Sequence, residues 1–186
     1  MTPTEIEICA SPELVAWDRA VGKLYRLVGK ASLSVDDQRV WLASRNACGS
    51  ARACILNAYR TWPGFDSTAS GFGALFDRRG TGPSDPSRLE VLPIYGNWYY
   101  FSVDALHIMN ARTGAVNMGE VAGLIELQND SSLFDDSPGE QYGCRLKFER
   151  KSAAYWSILE RDEDAICGGV NVFLSGGYFA RDKKPR

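Results

Sequence analysis

Apolar residues recur at alternating steps of three and four through Leu14, Trp17, Val21, Leu24 and Val28, which is one stripe of an amphipathic helix. Ser11 stands where an N-cap belongs, Pro12 at the first helical position and Glu13 in the first turn, so a helix is expected from Ser11 to Lys30. A second start falls at Ser34. Asp36 and Asp37 occupy its first turn, where the helix dipole favours anions, and Val40, Trp41 and Ala47 are assigned to its buried side. Gly49 and Ser50 interrupt the pattern; Ile55, Ala58, Tyr59 and Trp62 resume it until Pro63 and Gly64 end it. The period predicts a helical hairpin whose second arm is broken at Gly49.

From Phe65 to Ser87 the chain is rich in Gly, Ser, Asp and Pro and keeps no period, as expected of a linker. Beyond it come short runs of β-branched and aromatic residues bounded by turn formers: LEVLPIY, NWYYFSV, EVAGLIEL, CRLKFER, AAYWSILE and GVNVFLSGGYFA. Cys144, Leu146 and Phe148 alternate with Arg145, Lys147 and Glu149, one face for a core and one for water. The expected fold class is therefore α+β, a helical hairpin over residues 1–64, a linker over 65–87, and a small antiparallel β barrel or sandwich over 88–186.

Composition removes several functions. Among 186 residues, 45% are apolar and 24% charged, and the net charge is -2; this is a globular chain with no basic stripe for a nucleic acid and no apolar run long enough to span a bilayer. Five cysteines, one histidine and no C-x-x-C give no zinc pattern, and no cofactor motif or metal site is expected. Cys9, Cys48 and Cys54 lie early, Cys144 and Cys167 late. Two short domains with small cores call for staples. Cys144 with Cys167 would pin two late strands and contribute roughly 3 kcal/mol, and Cys48 with Cys54 roughly 2 kcal/mol, in the chain-entropy picture; among the three early cysteines the pairing stays open. The start MTPTEIEIC has neither a basic n-region nor an apolar h-region, so the expectation is an exported chain already trimmed of its leader.

His107 is the one residue on which a Ser-His-Asp or Cys-His arrangement could be built; its ordinary reading is a strand or loop histidine, and no enzyme activity is expected. Asp135 with Asp136, and Asp162 and Glu163 with Asp164, are solvated turn carboxylates by position and too close together for the two sides of a glycosidic bond. They are candidates for binding a protein partner. The glycines of SGFGALF and CGGVNVFLSGGY lack the spacing of phosphate loops and mark bulges or turns. In the run Trp98, Tyr99, Tyr100, Phe101 a strand turns two rings in and two out, which makes Trp98 a candidate contact for a glycan.

The segments TPTEIEIC at Thr2–Cys9, Leu14, Asp18 and Tyr25, QRVWLASRNAC at Gln38–Cys48 and CILNAYRTW at Cys54–Trp62 resemble the N-terminal domain of the LprI-like family of bacterial envelope proteins, named for a lysozyme inhibitor. GEVAGLIEL, Cys144 and CGGVNVFLSGGYFAR look like the β domain of some members. The resemblance implies a helical hairpin with a small antiparallel barrel, a periplasmic or cell-surface location, and a protein partner among peptidoglycan-degrading enzymes or toxins. It also implies one more cysteine just before TPTE; its absence would account for the odd count. Asp18, Gln38, Arg45 and Asn46 belong to the family pattern, and an interhelical ion pair or a side-chain cap near Cys48 explains them structurally. The leading expectation is an inhibitor or immunity protein that covers the cleft of a wall-degrading enzyme, its acidic loops steering the encounter with a basic target. The competing one is a glycan or peptidoglycan-binding module.

Overall fold

The computed structural model describes residues 1–28, 33–64, 72–80, 85–136, 143–161 and 167–181. The chain forms two compact units, Met1–Phe72 with Ile94–Gly96, and Gly73–Pro93 with Asn97–Arg186. The first carries four helices, α1 (Pro3–Ala10), α2 (Pro12–Val28), α3 (Val35–Ala47) and α4 (Arg52–Arg60). The α2 stripe is as expected, with Leu14, Trp17, Val21 and Leu24 buried. α1 is an addition to the expected hairpin. Thr2 and Glu5 form a capping box around Pro3, which satisfies amides that a helix this short otherwise leaves bare.

On α3 the buried side differs from expectation. Val40 is 70% exposed and Ala47 is exposed, while Trp41 and Arg45 turn inward. The reason is polar. Arg45 Nη1 donates to Asp18 Oδ1 at 3.0 Å and to the Tyr59 hydroxyl at 3.2 Å, that hydroxyl donates to Asp18 Oδ1 at 2.8 Å, and Trp41 Nε1 donates to the Ala58 carbonyl at 2.7 Å. The interhelical pair between α2 and α3 thus exists, and a guanidinium takes the place of an aliphatic core residue because its donors are answered. Gly49, with φ +57°, turns the chain between α3 and α4, and Cys48–Cys54 bridges the turn with Cα atoms 5.6 Å apart. Cys9 is an exposed free thiol.

The second unit is one eight-stranded antiparallel sheet curled into a nearly closed barrel, with strands β1 (Ala74–Arg79), β2 (Ser87–Tyr95), β3 (Trp98–Asn110), β4 (Ala115–Glu126), β5 (Ser131–Asp135), β6 (Arg145–Ser152), β7 (Tyr155–Glu160) and β8 (Gly176–Ala180). Their order is β4-β3-β2-β1-β8-β7-β6-β5. The fold class, helices followed by a β-barrel unit, is as the pattern predicted. Two strands fall where none was expected: β1 lies inside the stretch read as linker, and β5 ends at Asp135, which was expected in a solvated turn with Asp136. β1 reads as loop because its charged residues are used. Asp77 takes a bidentate ion pair from Arg181 on the outer face, which holds its carboxyl below the usual range, while Phe76 enters the core.

Alternation then fills the barrel. Leu89 and Val91, Phe101, Val103 and Ala105, Leu146 and Phe148, Trp156 and Ile158, and Tyr178 point inward. Phe101 meets Phe134 edge-on at 4.9 Å and Phe148 at 4.5 Å. The interior is side chain throughout this cluster.

Candidate functional site

One end of the barrel unit is apolar and faces water. β3 and β4 pair from Trp98 and Glu126 to Asn110 and Ala115, and run on beyond Leu106, whose amide bonds the Pro86 carbonyl. On this extension Met109, Val116 and Met118 are exposed; on the neighbouring segment Cys167–Ser175 so are Val170, at 75%, and Phe173, at 62%. From Ala105 to Gly119 the chain carries no acidic residue and one cation, Arg112, and Cys167–Ser175 carries no charge. Asn117 Nδ2 reaches both Met109 Sδ and the Val170 carbonyl, which brings those two exposed residues together, while Val116 and Met118 alternate with Asn117 and Gly119 and face the other side of the strand; exposed apolar side chains at a barrel end mark candidate interaction surfaces.

The segment Cys167–Ser175 is a strap with fixed anchors. The Gly169 amide donates to the Met118 carbonyl at 3.1 Å and Asn117 Nδ2 to the Val170 carbonyl at 2.6 Å. Gly119 and Gly168 allow this approach, because a Cβ on Gly119 would lie 2.6 Å from the Gly168 Cα. Val172 and Leu174 drop into the core on either side of the exposed Phe173. At the far end Arg78 donates to the Phe173 carbonyl, to the Ser175 carbonyl at 3.1 Å and to the Asp85 carbonyl at 2.9 Å. The Tyr178 hydroxyl donates to the Leu174 carbonyl at 2.7 Å, and burial pushes that phenol up to about 12. The strap's first residue is bridged to Cys144, Cα to Cα 4.5 Å. The bridge therefore ties this strap to the start of β6, and not two strands to each other as the spacing suggested.

The sequence candidates fall elsewhere. Asp135 closes β5 and pairs with Arg145 across the ladder at 3.2 Å, and Asp136 Oδ1 accepts from the Cys144 amide at 2.7 Å. These two carboxylates sit together and have structural partners. Asp162, Glu163 and Asp164 lie outside the described residues. Trp98 opens β3 opposite Glu126, half-buried on the face away from the core. Its neighbour Tyr100 shares that face and is nonetheless buried, so of the four rings Trp98 and Tyr99 are the partly exposed ones.

His107 Nδ1 lies 2.6 Å from Asp85 Oδ1. Ser87, among the described residues the serine nearest Asp85 in sequence, donates to the Asp104 carbonyl at 3.0 Å. Cys48, Cys54, Cys144 and Cys167 are all in bridges. Among the described residues no group of three or more His, Cys, Asp or Glu side chains could hold a metal ion, and no helix is long and apolar enough to cross a membrane.

The apolar end escaped the sequence reading because Met118 and Val116 sit at the outward positions of a strand, where periodicity alone cannot tell a covered face from a bare one. The absence of acid between Ala105 and Gly119 was the available signal. No protein-family model, curated protein or solved structure matches the chain.

Proposed function

We propose that this chain is a non-enzymatic binding protein of an oxidising compartment, exported to the periplasm or cell surface, that docks on a cell-wall-degrading enzyme or toxin and blocks it. One observation carries the docking part: Val170 and Phe173 stand exposed on a strap whose two ends are fixed, with Met109 joined to Val170 through Asn117. A surface pre-ordered in this way loses little side-chain and loop entropy on association. The compartment part is supported by a bridge in each unit. The choice of target is supported by the resemblance of Thr2–Trp62 to the LprI-like N-terminal domain. The acidic pair Asp135 and Asp136 contributes charge that would speed the encounter with a basic enzyme.

Peptidoglycan turnover by lysozyme and by a panel of wall hydrolases and toxins, measured with increasing amounts of the chain, tests this reading. Inhibition of at least one enzyme, weakened tenfold or more by Phe173→Asp or Val170→Asp, is the expected result. A panel turned over at full rate, or inhibition that both variants leave intact, contradicts it.

The half-exposed Trp98 favours a second reading, a glycan-binding module without inhibitory activity. Retention on insoluble peptidoglycan that is lost in Trp98→Ala would select it, and retention unchanged in that variant would remove it.

A further inference from the structure

The barrel has a seam. β4 and β5 end the strand order, and beyond the Gln128–Ser131 bridge at their connecting turn no ladder joins them among the described residues. Other groups fill the gap: the Phe134 ring lies against Gly123, and the strap lies across Gly119 and Met118. The strap takes just one backbone-to-backbone bond from β4, Gly169 to Met118, with Asn117 adding a side-chain bond. Its C-terminal end is fixed by Arg78 and by the β8 ladder. Toward its N-terminal end Val172 packs into the core against Gly119, and among the described residues the one covalent hold is Cys167, bridged to a cysteine whose amide and carbonyl are held by Asp136 on the other side of the seam.

We propose that the Cys144–Cys167 bridge is a redox latch on this strap. Oxidised, it holds Gly168–Val172 against β4 and sets Val170 and Phe173 in place; reduced, the strap lifts from Gly119 while the eight-stranded sheet persists. The reductant is a dithiol. One of its thiolates attacks a sulfur of the bridge to give a mixed disulfide, and its second thiol displaces that sulfur; the S–S bond is broken, two electrons pass to the protein, Cys144 and Cys167 take up two protons, and the dithiol leaves as its own disulfide. Both sulfurs belong to residues at most 5% exposed, so the dithiol reaches them only during transient lifting of the strap, and loss of the bridge makes that lifted state the stable one. Cys54 in the other unit is exposed, and the Cys48–Cys54 bridge is therefore reduced before this one.

The latch concerns the same surface as the docking reading and is tested without any target, so either can fail alone. Amide hydrogen exchange is measured on the oxidised protein, on Cys144→Ser/Cys167→Ser, and on Cys48→Ser/Cys54→Ser as control. If the first double variant does not fold, the native protein is folded oxidised and then reduced with dithiothreitol. The expected result is a tenfold or greater loss of protection at Gly169 and Val172, with the β1 and β8 amides and the control unchanged. Strap protection that survives loss of the bridge overturns the latch. Protection lost from strap and sheet together overturns it equally, since the bridge would then hold the barrel itself.

Discussion

Arg45 shows how a single buried cation organises the helical unit. It is 9% exposed, its guanidinium answered by Asp18, Tyr59 and Asn46 and flanked by the Trp41 and Tyr59 rings. Burial, then Asp18, raises the Tyr59 phenol far above its ordinary range. Asp18→Ala leaves that cation short of its counter-ion and is expected to lower stability by about 1–2 kcal/mol in urea unfolding, the half-exposure of Asp18 moderating the cost. Asp36→Ala breaks an ion pair with Arg39 in which both side chains are solvated, and is expected to change stability by less than about 0.5 kcal/mol. Glu149 gives a pH test. Hydrogen bonds from Lys147 and Lys151 hold its carboxyl down to about 2. Because the folded value is depressed, its stabilisation is complete above the ordinary 4.5 and is lost as pH falls from there toward about 2. Carbon-detected NMR of the Glu149 carboxyl is expected to titrate at that low end, and to move up in Lys147→Ala.

At the level of elements, legibility followed periodicity. α2, the break at Gly49 and the alternation of β6 were readable because each has a long apolar run with clear punctuation. α1 was not, since eight residues with two buried side chains hold no stripe, although the Thr2 and Glu5 capping box was a visible start signal. β1 and β5 were hidden by charge: Asp77 and Asp135 look like loop residues until the cross-strand arginines Arg181 and Arg145 are beside them. The site was the least legible part. Its exposed side chains come from a hairpin extension and a strap that are about fifty residues apart in sequence and meet through glycine. Gly119→Ala tests that meeting. Its methyl would strike the Gly168 Cα, and a cost of about 1–3 kcal/mol is expected, with exchange protection falling first at Gly169.

For the whole molecule, two small units each carry one internal bridge, and the barrel unit presents an end with exposed apolar side chains and no acidic residue in Ala105–Gly119 or Cys167–Ser175. An interface on that end would use Phe173 as its large apolar anchor, the kind of side chain that carries most of the affinity. Association by this route buries apolar surface and so has a negative heat-capacity change. Calorimetric titration of the oxidised protein into lysozyme and into a panel of peptidoglycan hydrolases, at two temperatures, measures this directly. Saturable one-to-one binding to at least one of them, with a negative heat-capacity change and abolished in Phe173→Asp, is the expected result; heats of dilution alone across the whole panel, or binding that Phe173→Asp leaves unaltered, rules out docking through this end.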